Sequence, residues 1–153
     1  MKIISHRGNL KGPEPETENS PKKIEEALKL GYDCEVDVWY QSGVFTLCHD
    51  FKNNKHYNVN VQFLKKNGLW CHAKNIEAIS ALQKIDVNFF WHEDDKLTLT
   101  SKGWVWCHPT CQVSSDRSII CLPELHNIDV KFFDGLCTDY TGRYINKVKN
   151  AKD

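Results

Sequence analysis

Two acids stand two positions apart in the run Cys34-Glu35-Val36-Asp37-Val38-Trp39, and His49-Asp50 follows a second apolar run from Val44 to Cys48. A strand has a side-chain period of two, so Glu35, Asp37 and Trp39 share one face while Cys34, Val36 and Val38 make an apolar one. Carboxylates this close, in a partly desolvated setting, repel unless a cation or a proton comes between them. Hard oxygen ligands on one wall suit Mg²⁺ or Ca²⁺. The plainer alternative is that both acids pair with Lys or Arg neighbours. An imidazole beside the acids adds a group that titrates near neutrality, the raw material of metal-assisted acid–base chemistry.

The elements that must position these groups read as strands alternating with helices. Lys2 to Ser5 is a strand that delivers His6-Arg7-Gly8-Asn9 at its C-terminal end. Pro13, Pro15 and Gly12 keep residues 11 to 19 in a loop. Ser20 caps a helix with Pro21 at its first position, Ile24, Ala27 and Leu28 as its stripe, and Gly31 as its stop. The Cys34–Trp39 strand follows, which gives the signature of a parallel βα repeat. Val61 to Lys66 reads as a helical turn or two, and Leu69 to Ala73 as a strand. Asn75 caps a helix along Ile76, Ile79 and Leu82, and Val87 to Trp91 is a further strand. Short apolar runs at 97–100, 104–107, 119–122 and 136–138 bring the total to seven or eight strands. Polar groups stand directly after many of them: His6, His49, His72, His92, Glu124 and Asp139. Function gathered at the C-terminal ends of parallel strands is the habit of α/β folds and of β/α barrels. The expected architecture is one domain over 1–153, a reduced TIM-like (β/α) barrel with several helices shortened or replaced by loops. A full barrel takes about 250 residues.

Composition narrows the partners. Twenty basic and twenty acidic residues cancel, and neither sign gathers in one half, so nucleic acid is not the expected partner. No apolar run approaches the roughly 18 residues a membrane helix needs. Seven cysteines behind a polar N-terminus read as reduced thiols, which points to a cytoplasmic location. Cys107, Cys111, Cys121, His108 and His126 invite a zinc reading, but a second tight Cys pair is missing and buried thiols are the preferred account.

Taken together, His6-Arg7-Gly8, Glu18-Asn19, Glu35-x-Asp37 and His49-Asp50 resemble the glycerophosphodiester phosphodiesterases, of the phosphatidylinositol-phospholipase-C-like group of β/α barrels. Leu69–Asn75, Phe90–Asp95, Leu97–Ser101 and Leu122-Pro123-Glu124 resemble short proteins that keep this N-terminal signature. The resemblance implies a phosphodiesterase in which His6 and His49 are general acid and base, with His49 as the acid. It implies that Arg7 holds the phosphate, that Glu18 and Asn19 line the site, and that Glu35 and Asp37 bind the metal. The family's third metal-binding carboxylate is replaced by His72, with Lys74 retained beside it. An imidazole there shifts preference toward Mn²⁺ or Zn²⁺, or weakens binding. His92, in phase with Phe90, faces the substrate on this reading.

The chemistry has its own logic. A phosphodiester is an anion that repels nucleophiles, so a site needs a cation and a guanidinium. The attacking hydroxyl must lose a proton and the leaving alcohol must gain one, which two imidazoles can manage near neutrality. The expected activity is therefore metal-dependent cleavage of glycerophosphodiesters or related small phosphodiesters. Alternatives are a phospholipase-D-like transferase or lyase releasing a cyclic phosphate, and an inactive phosphate- or sugar-binding module that kept the rim.

Overall fold

The computed structural model describes residues 1–111 and 115–150, the last five of these as backbone only. Ten strands form one connected sheet: β1 Lys2–His6, β2 Asp33–Gln41, β3 Val44–Leu47, β4 Tyr57–Val59, β5 Leu69–Ala73, β6 Phe89–Phe90, β7 Leu97–Leu99, β8 Val105–Cys107, β9 Ser118–Cys121 and β10 Gly135–Thr138. The α-helices among the described residues are α1 Pro21–Lys29, α2 Val61–Leu64, α3 Ile76–Leu82 and α4 Thr141–Asn150.

Seven strands run parallel in the order β6-β5-β2-β1-β10-β9-β8. Strand β2 is long enough to change neighbours along its length. Its first half pairs with β1 and its second half with β3, which leads the antiparallel β3–β4 extension. The sheet curls into a half-barrel without closing. No ladder joins β6 to β7 or β8 among the described residues. Ser101 N donates to Phe89 O at 2.7 Å and Thr98 Oγ1 to Trp91 O at 3.0 Å across that gap.

The expectation of a reduced TIM-like barrel is corrected by this topology. The first unit, β1-α1-β2, is the parallel βαβ repeat that the sequence announces. The unit β5-α3-β6 repeats it once, but elsewhere alternation fails: among the described residues β7 to β10 succeed one another with only the 3₁₀ turns Pro123–Leu125 and Val130–Phe132 between them, and β3, β4 and β7 pair antiparallel. The physical reason is connection length. A parallel return needs a crossover of about a dozen residues, whereas Ser42-Gly43, with φ of 49° and 82°, allows only a tight hairpin. The same holds between β7 and β8, where Gly103 sits at φ 75°. Strand β6 is shorter than the expected 87–91, and Tyr57–Val59 and the helix Thr141–Asn150 are elements the periodicity does not announce.

Alternation of side chains sorts the core into layers. Ile24 and Ala27 of α1, Ala78 and Leu82 of α3, and Cys34, Val36, Val38, Cys71 and Ala73 fill the convex side around β2 and β5. Tyr144 of α4 joins Cys107, Ile120 and Leu136 on the same side further along. Ile4, Trp70, Phe90, Trp106, Ile119 and Cys137 fill the concave side. One step further along each strand, the inward positions become polar, and those positions form the site.

Candidate functional site

His6, Arg7, Glu35, His49, His72, Lys74 and His92 line one cleft of about 420 Å³ at the C-terminal ends of the parallel strands. The cleft's other wall is Phe90, Trp106, Pro109, Cys121, Leu122 and Leu125. Seven polar groups that the sequence scatters over 87 positions therefore meet, carried there by the parallel strands β1, β2, β5 and β6 and by the turn that follows the antiparallel β3.

Glu35 and Asp37 are buried, at 2% and 0% exposure. His72 pairs in register with Asp37 on the neighbouring strand β5, which brings its Nδ1 to 3.3 Å from Asp37 Oδ1 and 3.7 Å from Glu35 Oε1. The imidazole stacks on Phe90 and on His92, with ring centroids 4.8 Å from each, and those two rings lie 6.0 Å from one another. The three donor groups lie within 4.8 Å of one another. Glu35 Oε2 and Asp37 Oδ1 are buried and make no aligned hydrogen bond. Orphaned anionic oxygens beside an imidazole nitrogen, at the spacing of ligands roughly 2.0–2.6 Å from a shared centre, fit a divalent ion. Both sequence alternatives for these acids hold in part, since Asp37 also pairs with Arg7 Nε at 2.8 Å and with Lys74 Nζ at 3.7 Å.

The loop motifs act through backbone strain as well as side chains. Arg7 and Asn19 adopt φ of 55° and 61°, a region costly for residues with a Cβ. Gly8, at φ 84°, tolerates the approach of Lys23 at the start of α1, where an added Cβ would lie 2.9 Å from the Lys23 Cβ. Arg7 is thereby turned back over the acids. Its Nη1 donates to Glu18 Oε2 at 3.2 Å and its Nη2 lies 2.7 Å from His49 Nδ1. A guanidinium can only donate, so His49 Nδ1 accepts and its ring hydrogen sits on Nε2.

Glu18 and Asn19 stand behind the cleft-lining groups. Glu18 braces Arg7 and accepts from Asn9 Nδ2 at 2.8 Å. Asn19 is fully buried and grips Asp37 at both ends: its Nδ2 donates to Asp37 Oδ2 at 3.0 Å, and its Oδ1 accepts from Asp37 N at 2.9 Å.

Electrostatics follow from these contacts. Burial would raise the Asp37 carboxyl, but the neighbouring imidazoles of His49 and His72 and the Arg7 charge hold it well below the ordinary carboxylate range. Burial pulls His72 down, and the two carboxylates overcome it and raise it. His92 is lowered, first by burial and then by the charge of His72. Burial also disfavours the charged form of His6. The hydrogen bond to Asp139 and the charge of Glu35 outweigh it, and its pKa rises to about 9.

Asp139 is the partner that fixes His6. Its Oδ1 lies 2.8 Å from His6 Nδ1 and also accepts from Asn9 Nδ2 at 2.9 Å. Glu124 Oε1 in turn accepts from Asp139 N at 3.0 Å and from the Thr138 hydroxyl at 2.8 Å. Position at a strand end singled out Glu124 and Asp139 but gave them no role. Trp106, His108 and Cys121 carry no spacing signal, since they enter the cleft through strands and turns far along the chain.

No family model, no curated protein and no solved structure matches this chain. The likeness to glycerophosphodiester phosphodiesterases rests on the motifs themselves. No helix among the described residues is long and apolar enough to cross a membrane.

Proposed function

We propose that this protein cleaves small phosphodiesters of the glycerophosphodiester type, using a divalent ion held by Glu35, Asp37 and His72 and proton transfer by His6 and His49. The observation that carries this reading is the meeting, in one cleft, of a buried pair of orphaned carboxylate oxygens, an imidazole at ligand distance, a guanidinium and two further imidazoles.

A bound divalent ion supplies the charge that the diester's non-bridging oxygens need. Arg7, already aimed into the cleft, binds the phosphoryl group through a guanidinium suited to paired acceptors. Asp139 fixes the His6 tautomer with hydrogen on Nδ1, which turns Nε2 toward Glu35, 4.0 Å from Oε2. A divalent ion at Glu35 would offset one of the charges that keep His6 protonated; Nε2 then takes the proton of the attacking hydroxyl, which in the resembled family belongs to the substrate itself and yields a cyclic phosphate. His49 is exposed at the mouth with Nδ1 3.6 Å from Asp37 Oδ2, and on this reading it acts as the imidazolium whose Nε2 proton goes to the departing alcohol once Arg7 has turned from Nδ1 to the phosphate. Lys74, 3.7 Å from Asp37, balances the anionic charge of the cleft.

A second reading, an inactive phosphate-binding module, draws on the imidazole of His72 in the third ligand's place. Turnover of glycerophosphocholine and bis-p-nitrophenyl phosphate with Mg²⁺, Mn²⁺ and Zn²⁺ separates the two, and ³¹P NMR of the products tells a cyclic phosphate from an open monoester. Phosphate binding without turnover by any metal would select the module.

A further inference from the structure

The cleft wall facing the imidazoles carries a sulfur group for which the chemistry above has no use. Cys121 and Cys137 are direct register partners on the parallel strands β9 and β10. Both face the concave side: Cys137 is fully buried among Ile4, Phe90 and Trp106, and Cys121 packs on that cluster while lining the cleft. Neighbouring strands lie about 4.8 Å apart, inside the roughly 4.4–6.8 Å range of Cα separations that a disulfide spans. On the concave side of a curled sheet, side chains converge, which shortens the distance between the sulfurs further. None of the seven cysteines is in a disulfide, so the bond is open to be made.

We propose that Cys121 and Cys137 form a peroxide-oxidised dithiol site, with Cys121 as the attacking sulfur and Cys137 as the resolving one. The thiolate of Cys121 attacks the O–O bond of a hydroperoxide, giving a sulfenic acid at Cys121 and releasing water or an alcohol. The Cys137 thiol then displaces the sulfenic oxygen: the S–S bond forms, the S–O bond breaks, and water leaves. The two thiols lose two electrons in total and the peroxide gains them.

The order of attack follows from the surroundings. Cys121 is drawn down by its hydrogen bond with Cys137 and by the charge of His6, against the opposing effect of burial. Cys137 is pushed well up, mainly by burial, and stays a thiol. Burial likewise pushes up Cys34, Cys48, Cys71 and Cys107, which leaves them poor nucleophiles. Access agrees with this order, because a small peroxide reaches Cys121 through the cleft whereas Cys137 lies beneath it. Forming the bond draws the Cys121 sulfur toward β10 and reshapes the wall beside His6. The inference is independent of the phosphodiesterase reading.

The test is oxidation of the full chain, free of metal, with hydrogen peroxide, followed by peptide mapping without reduction. The expected result is a peptide joining Cys121 to Cys137 that dithiothreitol separates, with dimedone trapping a sulfenic acid at Cys121 in the Cys137→Ser variant. A Cys107–Cys111 link in its place, links only between chains, or seven unreacted thiols would overturn the proposal. The map of the unaltered protein decides the matter even if Cys137→Ser fails to fold.

Discussion

Asp139 and His6, at opposite ends of the chain, meet with 2.8 Å between Oδ1 and Nδ1 because β1 and β10 lie side by side in parallel register. The contact gives a first-strand histidine its tautomer and much of its charge. Asp139→Asn keeps the shape and removes the negative charge. On the proposed chemistry it lowers kcat/KM toward the lower end of the roughly 10²–10⁴ that a positioned base supplies. The same variant shifts the His6 imidazole titration downward in NMR, a readout that a purely structural role leaves unmoved.

Stability of the metal-free protein should depend on the same pair. His6 titrates near 6.5 when unfolded and at about 9 when folded. A raised folded value contributes stability that is fully present below about 6.5 and fades as the pH rises through about 9. Thermal melting between pH 6 and 10 should therefore show a falling Tm that His6→Gln flattens. A Tm that rises over this window would contradict the assignment of charge to His6.

Metal binding is tested by calorimetry on the Glu35→Gln, Asp37→Asn double variant, which should lose the site. His72→Asp restores a third hard oxygen, so its affinity should move toward Mg²⁺ and away from Zn²⁺. Equal metal preference before and after the change would remove His72 from the ligand set.

Asn19 should prove a positioning residue through two routes. Asn19→Ala strands both the buried Asp37 oxygen and its backbone N–H, at about 1–3 kcal/mol. Asn19→Gly loses the same hydrogen bonds but relieves the backbone at φ 61°, so it should unfold at a higher denaturant concentration than Asn19→Ala.

Leaving-group dependence separates the two catalytic imidazoles. A p-nitrophenolate departs without protonation, so His49→Ala should recover much of its rate on aryl diesters while His6→Ala does not. Equal recovery in both variants would reverse or dissolve the division of roles.

Much of the site was legible in the linear chain because strand periodicity is local. Spacing alone places Glu35 with Asp37 on one face, and the turn residues Gly8 and Ser20-Pro21 mark where the first strand ends and the first helix begins. The reach of Ser20 Oγ to Lys23 N, and of Asn75 to its own helix, repeats signals readable without any fold. The register that sets His72 against Asp37 and Asp139 against His6 is different in kind. It depends on which strands become neighbours, and that choice is made by packing across the sheet between residues far apart in sequence. The same is true of the open half-barrel. Hydrophobic runs announce strands, but their direction and closure follow from the lengths of the connections and the fit of Trp70, Phe90 and Trp106 inside the curl. The sequence by itself determined the chemistry available to this protein, while only the tertiary structure decided which groups share a cleft, because side-chain alternation is a property of one strand and convergence is a property of the whole sheet.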